Sequence, residues 1–265
     1  MKLSGMLAVY MVFCVSACAQ GATSPTAQCA PYSELLALEQ SYSGVYLGEL
    51  HGTLNSPDIL KCFMDAPRVS QRHLVLSLEG SGSILTDPEV EASYRQTGAR
   101  GMGVLPPPVW ALVERAASDP SLAGVAFQEN GSMKVTKPLE EWDTADYEAA
   151  MQFRETDIAD GILGVVAPDT FVVALGGNLH AARATRNPAI KSPAGSQMPA
   201  SVATVFLVSS EGGSAHYCTD EGCQEWDVAP QDYGFSPGER LKSGEAYGYD
   251  YIFDVGPLRP IPAPE

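Results

Sequence analysis

The chain has 265 residues, 45% of them hydrophobic, and sets 16 Lys and Arg against 32 Asp and Glu for a formal net charge of −16. Length and apolar content suit one globular domain of ordinary size. The acidity, with no basic cluster anywhere, excludes a nucleic-acid surface, because neutralising phosphates needs concentrated Lys and Arg.

The first residues read as an export signal. Lys2 precedes an apolar run from Met6 to Val15, followed by Ser16-Ala17-Cys18-Ala19. The run is too short to span a bilayer comfortably, and the small residues behind it form a cleavage site. Val15-Ser16-Ala17-Cys18 resembles the bacterial lipobox, whose Cys is lipidated and becomes the new N-terminus. Ordinary cleavage after Ala19 is the competing reading and would release an unanchored protein. The lipobox is preferred because Cys18 falls where that motif requires it. Residues 1–17 are therefore expected to be a signal peptide, residues 18–30 a tether, and residues 31–265 a single domain. The expected location is the bacterial cell envelope, lipid-anchored to a membrane or free in the periplasm.

Cysteine usage agrees with export. Beyond Cys14 and Cys18 the chain holds Cys29, Cys62, Cys218 and Cys223, an even set of the kind that forms two disulfides in an oxidising compartment. Cys218 and Cys223 bracket a turn-like Thr-Asp-Glu-Gly and are expected to pair locally. Cys29 with Cys62 would then tie the N-terminal segment to the first long helix.

In chain order, Ser33–Gln40 reads as a short helix and Val45–Glu49 as a buried strand. Asn55 or Ser56 is placed to cap a helix with Pro57 at its first position, ending at Pro67. His73–Gly80 is a second, nearly continuous apolar strand. Asp87–Arg95 reads as a helix, Gly98–Pro108 as a loop, Val109–Ala117 as a helix and Gly124–Phe127 as a third strand. The longest helix spans Thr144 to about Val165, and Phe171–Leu175 is the next strand. Asn187–Pro199 is a loop, Ser201–Val208 and Ala215–Cys218 are later strands, and Tyr247–Val255 is the last. Strands alternating with helices predict an α/β fold with a mixed, largely parallel sheet flanked by helices and late antiparallel strands.

Two strand endings match. Gly48-Glu49-Leu50-His51 follows the first strand and Gly177-Asn178-Leu179-His180 follows the fourth, which uses two of only four histidines. If the first strand continues, alternation projects Glu49 and His51 to one side. The second strand ends at Glu79-Gly80 and the third at Gln128-Glu129. In open α/β sheets the carboxyl edge of the strands is where ligands bind. Imidazoles and carboxylates gathered there make either a metal site or an acid–base pair oriented by a carboxylate. A single strand-end His is more simply a turn cap; two in matching frames beside carboxylates point to a site. Arg154 falls on the apolar stripe of the long helix with Met151 and Ile158, so it must meet a carboxylate or an anionic ligand. Glu129 and Asn178 are lesser candidates, and His73 and His216 read as structural and surface residues. No Gly-x-Ser-x-Gly elbow, Walker loop or dinucleotide fingerprint is present.

Leu47-Gly48-Glu49-Leu50-His51-Gly52 resembles the first motif of the superfamily that joins ChaN-like haem-binding uptake lipoproteins, erythromycin esterases and Tiki/TraB proteins. Two Gly-x-x-His motifs at strand ends, Gly48–His51 and Gly177–His180, resemble the Tiki branch. Glu79 and Arg154-Glu155 followed by Ala159 look like the family's intervening Glu and Arg-acidic helix motif, and Tyr249-Asp250 is a weaker echo. The resemblance implies a site of His51, Glu49, Glu79, His180 and Arg154. By the esterase branch His51 would be a general base acting on a small-molecule substrate. By the Tiki branch a divalent metal held by His51, His180 and Glu79 would cleave a peptide substrate. By the ChaN branch the protein would bind haem without catalysis.

Overall fold

The computed structural model describes residues 25–68, 70–81, 83, 87–89, 106–130, 137–185, 187–219 and 222–262. The apolar runs become strands β1 (Gly44–Glu49), β2 (His73–Ser81), β3 (Gly124–Glu129), β4 (Thr170–Gly177) and β5 (Val202–Val208). Then follow β6 (Gly213–Thr219), β7 (Gly222–Val228), β8 (Leu241–Ser243) and β9 (Tyr251–Asp254). The helices are α1 (Pro25–Cys29), α2 (Ser33–Leu36), α3 (Asn55–Asp65), α4 (Pro107–Ser118) and α5 (Thr144–Leu163).

Among the described residues the main sheet has seven strands in the order β3-β2-β4-β1-β5-β9-β8, and all but β8 run parallel. Alternation sorts each strand onto two layers. Val45 and Leu47, Leu74, Leu76 and Leu78, and Phe171, Val173 and Leu175 face α3 and α4. Tyr46, Val172 and Ala174 face the layer of Ile158, Ala159 and Ile162 on α5. The second layer is built from small residues. A Cβ on Gly161 would lie 2.1 Å from the Gln128 carbonyl, so α5 packs directly on β3. This close approach brings the N-terminal half of α5 to the carboxyl edge of the sheet.

The α/β expectation therefore holds, with differences in the late strands. The antiparallel additions are β8 on β9 and a separate β6–β7 hairpin, while β5 and β9 continue the parallel sheet. The last strand is shorter than Tyr247–Val255, because Glu245–Tyr247 forms a 3-10 turn. Gly222–Val228 has too few apolar residues to announce itself as β7, and β8 is only three residues long. Asn55 does not cap α3. Its amide donates to the carbonyls of Val255 (3.3 Å) and Pro257 (3.2 Å) and accepts from Arg259 N (3.1 Å), tying the helix to the C-terminal tail. The expected helix at Asp87–Arg95 and loop at Gly98–Pro108 lie largely outside the described residues, as does the signal segment.

The fold also begins before the expected end of the tether. Pro25–Cys29 is helical, Cys29 is buried, and it forms a disulfide with Cys62 on α3. Across the hairpin the register sets Cys218 directly opposite Cys223; their side chains lie outside the described residues. The Cys29–Cys62 bond closes a loop with a sequence separation of 33. Loop-closure entropy predicts that opening it costs about 3–4 kcal/mol of stability. Urea unfolding of Cys29→Ser against the parent, both without reductant, should show a fall of that order in the midpoint-derived stability; equal midpoints would mean the bond is not formed.

Candidate active site

The carboxyl edge of β1, β2, β3 and β4 holds all five residues singled out in the sequence. Strand β1 ends at Glu49, so Glu49 and His51 meet through a turn and not through strand alternation. His51 Nδ1 lies 2.9 Å from Glu49 Oε1. The turn is fixed at Gly52, whose φ of +86° is costly for residues with a Cβ. Gly52 O accepts from His216 N (2.9 Å) and Ile261 N (3.0 Å), so β6 and the C-terminal tail both hold the His51 turn.

The two Gly-x-x-His endings are not in matching frames in the sheet. β1 and β4 pair Gly48 with Gly176 and Glu49 with Gly177. His180 thus lies one residue further beyond the sheet than His51. The extra residue leaves a bare backbone at the centre of the site. A Cβ on Gly177 would lie 3.1 Å from His51 Nε2, 3.3 Å from His180 Cδ2 and 3.7 Å from Glu79 Oε2. Both imidazoles and the central carboxylate converge on that point.

Glu79, buried at the end of β2, is the hub. Its Oε1 accepts from Arg154 Nη2 (2.6 Å) and its Oε2 from Gly177 N (2.7 Å). His51 Nε2 and His180 Nε2 each stand 3.8 Å from one of its oxygens. Burial pushes its carboxyl upward, but His51, His180, Arg154 and the Gly177 N–H together outweigh burial and hold it below its ordinary 4.5. Burial likewise works to lower the His51 imidazole, yet the hydrogen bond and charge of Glu49, then the charge of Glu79, raise it above 6.5.

Two further carboxylates belong to the site. Glu155 Oε1 lies 2.5 Å from His180 Nδ1 and its Oε2 accepts from Ala194 N at 2.8 Å. Glu129 receives Arg154 Nε (3.1 Å) and Nη2 (2.9 Å). Glu155 appeared in the sequence only within a motif, yet it carries a readable signal. Glu155, Ile158, Ala159 and Ile162 are the buried residues of α5, at the i, i+3, i+4, i+7 spacing of an inward stripe. Arg154 lies at the edge of that stripe, with its side chain 34% exposed.

The network sets proton positions. Arg154 can only donate, so His180 Nε2, 3.2 Å from Nη1, accepts, and His180 Nδ1 carries the proton shared with Glu155. Glu49 accepts the Nδ1 proton of His51 in the same way, which leaves His51 Nε2 with a lone pair and, among the described residues, no hydrogen-bond partner. Arg154 directs its donors at Glu79, Glu129 and His180. Four of its five N–H donors are thereby engaged, so it acts chiefly as an ion-pair residue. Four carboxylates face one guanidinium and two imidazoles. The site therefore carries −3 with both imidazoles neutral and −1 with both protonated.

Tyr46 on β1 is fully buried, and its hydroxyl has no hydrogen-bond partner among the described residues. It and Glu79 Oε2 lie 3.0 and 3.2 Å from the position of a Cβ on Gly176. Burial first, then the charges of Glu79 and Glu155, push its phenol well above 10. Asn178 N donates to Glu49 O (3.0 Å), and its carbonyl accepts from Tyr249 OH. Asp250 is committed to Arg183 and Thr204. Ser81 and Ser83 bond each other at 2.8 Å. Among the described residues no group of three His, Cys, Asp or Glu side chains is placed to hold a metal ion. The Arg154 guanidinium bridges His180 Nε2 and Glu79 Oε1, which engages two of the donor atoms a shared metal would use.

An α/β fold with a His–carboxylate site at its carboxyl edge is thus what the chain presents. No protein-family profile matches it, and no curated protein does. Among solved structures the type III effector HopBA1 aligns with 76% of this chain and 94% of its own, at 13% identity and a TM-score of 0.38.

Two outcomes follow from the geometry. Gly177→Ala should drive a methyl group between the imidazoles, shifting the His51 and His180 ring resonances in NMR spectra while costing about 1–3 kcal/mol of stability; unmoved ring signals would contradict the convergence. The pH dependence is also set. His51, with its pKa raised, stabilises fully below about 6.5 and loses that contribution as pH rises through its folded value. Glu79, with its pKa depressed, stabilises fully above about 4.5 and loses it as pH falls through its folded value. Their joint contribution should therefore peak between about pH 4.5 and 6.5. The Tm difference between parent and His51→Gln, followed across pH, should narrow above that window and would refute the assignment if it widened there.

Proposed function

We propose that this protein is a hydrolase that uses His51 as a general base, and that it belongs to the ChaN-like, Tiki and erythromycin-esterase-like superfamily. The observation that carries this reading is the Nε2 of His51, which has no hydrogen-bond partner among the described residues and is oriented through Nδ1 by Glu49 at 2.9 Å, while the other imidazole is already engaged by Arg154. A base needs its lone pair free and its other ring nitrogen held, which is this arrangement. His51 Nε2 takes a proton from water, the hydroxide adds to the substrate carbonyl carbon, and the imidazolium returns the proton to the leaving group as the acyl bond breaks. Glu49 stabilises the imidazolium, and Glu79 adds to that field. Arg154 positions Glu79 and His180. The donor set does not fit a shared metal, because Arg154 already engages His180 Nε2 and Glu79 Oε1.

The setting is outside the cytoplasm, with a lipid on Cys18 as the anchor. The Cys29–Cys62 disulfide is compatible with an oxidising compartment. No helix among the described residues is long and apolar enough to cross a membrane. Haem binding, the alternative, has less support, because among the described residues the site is net negative and its arginine, Arg154, is already paired.

A panel of carboxylic esters and peptide amides tests the proposal. The parent should turn over at least one member, His51→Ala should lose about 10²–10⁴-fold in kcat/KM, and dialysis against a chelator should leave the rate unchanged. Equal rates for parent and His51→Ala on every member would remove the hydrolase reading. A Soret shift on titration with haem, with no turnover, would replace it with the binding one.

A further inference from the structure

Gln128, beside Glu129 at the end of β3, is fully buried. Its Nε2 donates to Ser77 O on β2 (2.9 Å) and to Leu175 O on β4 (3.0 Å). The strand order is β3-β2-β4, so this side chain reaches past its neighbouring strand to the one beyond. Chemistry fixes the orientation of the amide, because only its NH2 end can meet two carbonyls. The other end, Oε1, is buried with no hydrogen-bond partner among the described residues. An apolar side chain would avoid that cost, so the two donated bonds are what account for an amide here.

The amide clamps the sheet where the sheet becomes irregular. β2 and β4 pair in register as far as Leu78 and Leu175, and the pairing of β2 with β3 shifts between Leu78 and Ser81. Gly80, inside that irregularity, has a φ of +128°, a conformation that favours glycine. Glu79 stands between the last rung and this glycine, and its carboxylate accepts from Gly177 N on β4 at 2.7 Å. The two carbonyls that Gln128 joins therefore lie two residues before Glu79 and Gly177 on their respective strands. The backbone of Gln128 seats a third element. A Cβ on Gly161 would lie 2.1 Å from its carbonyl oxygen, so α5, which brings Arg154 to Glu79, packs on the same residue.

We infer that Gln128 is a positioning residue for the site: its amide locks β2 to β4 just before the irregularity and so holds the Glu79 carboxylate against Gly177 N, Arg154 and the two imidazoles. The inference rests on the reading of Glu79 as part of an active site, and its first test needs no turnover. Gln128→Met keeps the length of the side chain and removes both donors. Leu74→Val, a cavity-forming change in the apolar layer at the start of β2, is the control for lost stability alone. With each rate referred to the variant's own global stability, the Gly177 amide should exchange with solvent about tenfold faster in Gln128→Met than in the control. The His51 and His180 ring signals should shift in NMR spectra of Gln128→Met and stay in place in the control. If Gln128→Met does not fold, Gln128→Asn, which keeps the amide but withdraws it by one methylene, should give the same two changes. On any ester or amide that the parent hydrolyses, the variant should lose about 10–10²-fold in kcat with KM unchanged. Exchange and ring signals that match the control, or an unchanged kcat in a parent that does hydrolyse, would overturn the inference. The NMR changes in a parent that hydrolyses nothing would instead remove the catalytic reading and leave Gln128 as the residue that positions Glu79.

Discussion

The contact between Arg154 and Glu79 organises everything at the carboxyl edge. A carboxylate buried at the end of β2 cannot stay ionised without compensation, and a guanidinium brought in by α5 supplies it at 2.6 Å. The same guanidinium engages Glu129 at the end of β3 and His180 beyond β4. One side chain thus joins a helix to three strand ends. The close packing of α5 on β3 at Gly161 is what allows the reach. Breaking such a pair leaves an uncompensated buried charge, and here that charge would sit between two imidazoles.

Two histidines with different duties result from this arrangement. Both have Nδ1 held by a carboxylate, Glu49 for His51 and Glu155 for His180. They differ at Nε2, where His180 meets Arg154 and His51 has no hydrogen-bond partner among the described residues. The near-repeat in sequence therefore hides a division of labour. The one-residue offset between β1 and β4 accompanies this difference, since it sets His180 one residue further along the chain from the paired strands than His51.

Much of this was legible before any coordinates. The buried strands were readable because parallel strands are apolar on both faces, and the carboxyl edge followed from their order. The His51, Glu79, Arg154 and His180 cluster needed only that edge and the stripe on α5. Glu155 was less visible, because an acidic residue on an apolar stripe resembles a helix edge until the burial pattern fixes the stripe's centre. The offset between the two Gly-x-x-His motifs was not legible at all, since register is a property of paired strands and not of either one. Asn55 misled for a related reason. A capping residue by local rules, it bonds instead to a segment some 200 residues away.

That distant segment has a consequence for when the site comes into being. The His51 turn is held by His216 and Ile261, and α3 by the tail around Val255 to Arg259. During synthesis, β1 and its glutamate emerge well before His216 and Ile261, whose backbone holds the turn that carries the imidazole. The geometry around His51 thus depends on contacts of long sequence separation, which cost the most loop-closure entropy. A chain still emerging from the ribosome carries β1 and Glu49 before the backbone that holds the His51 turn exists.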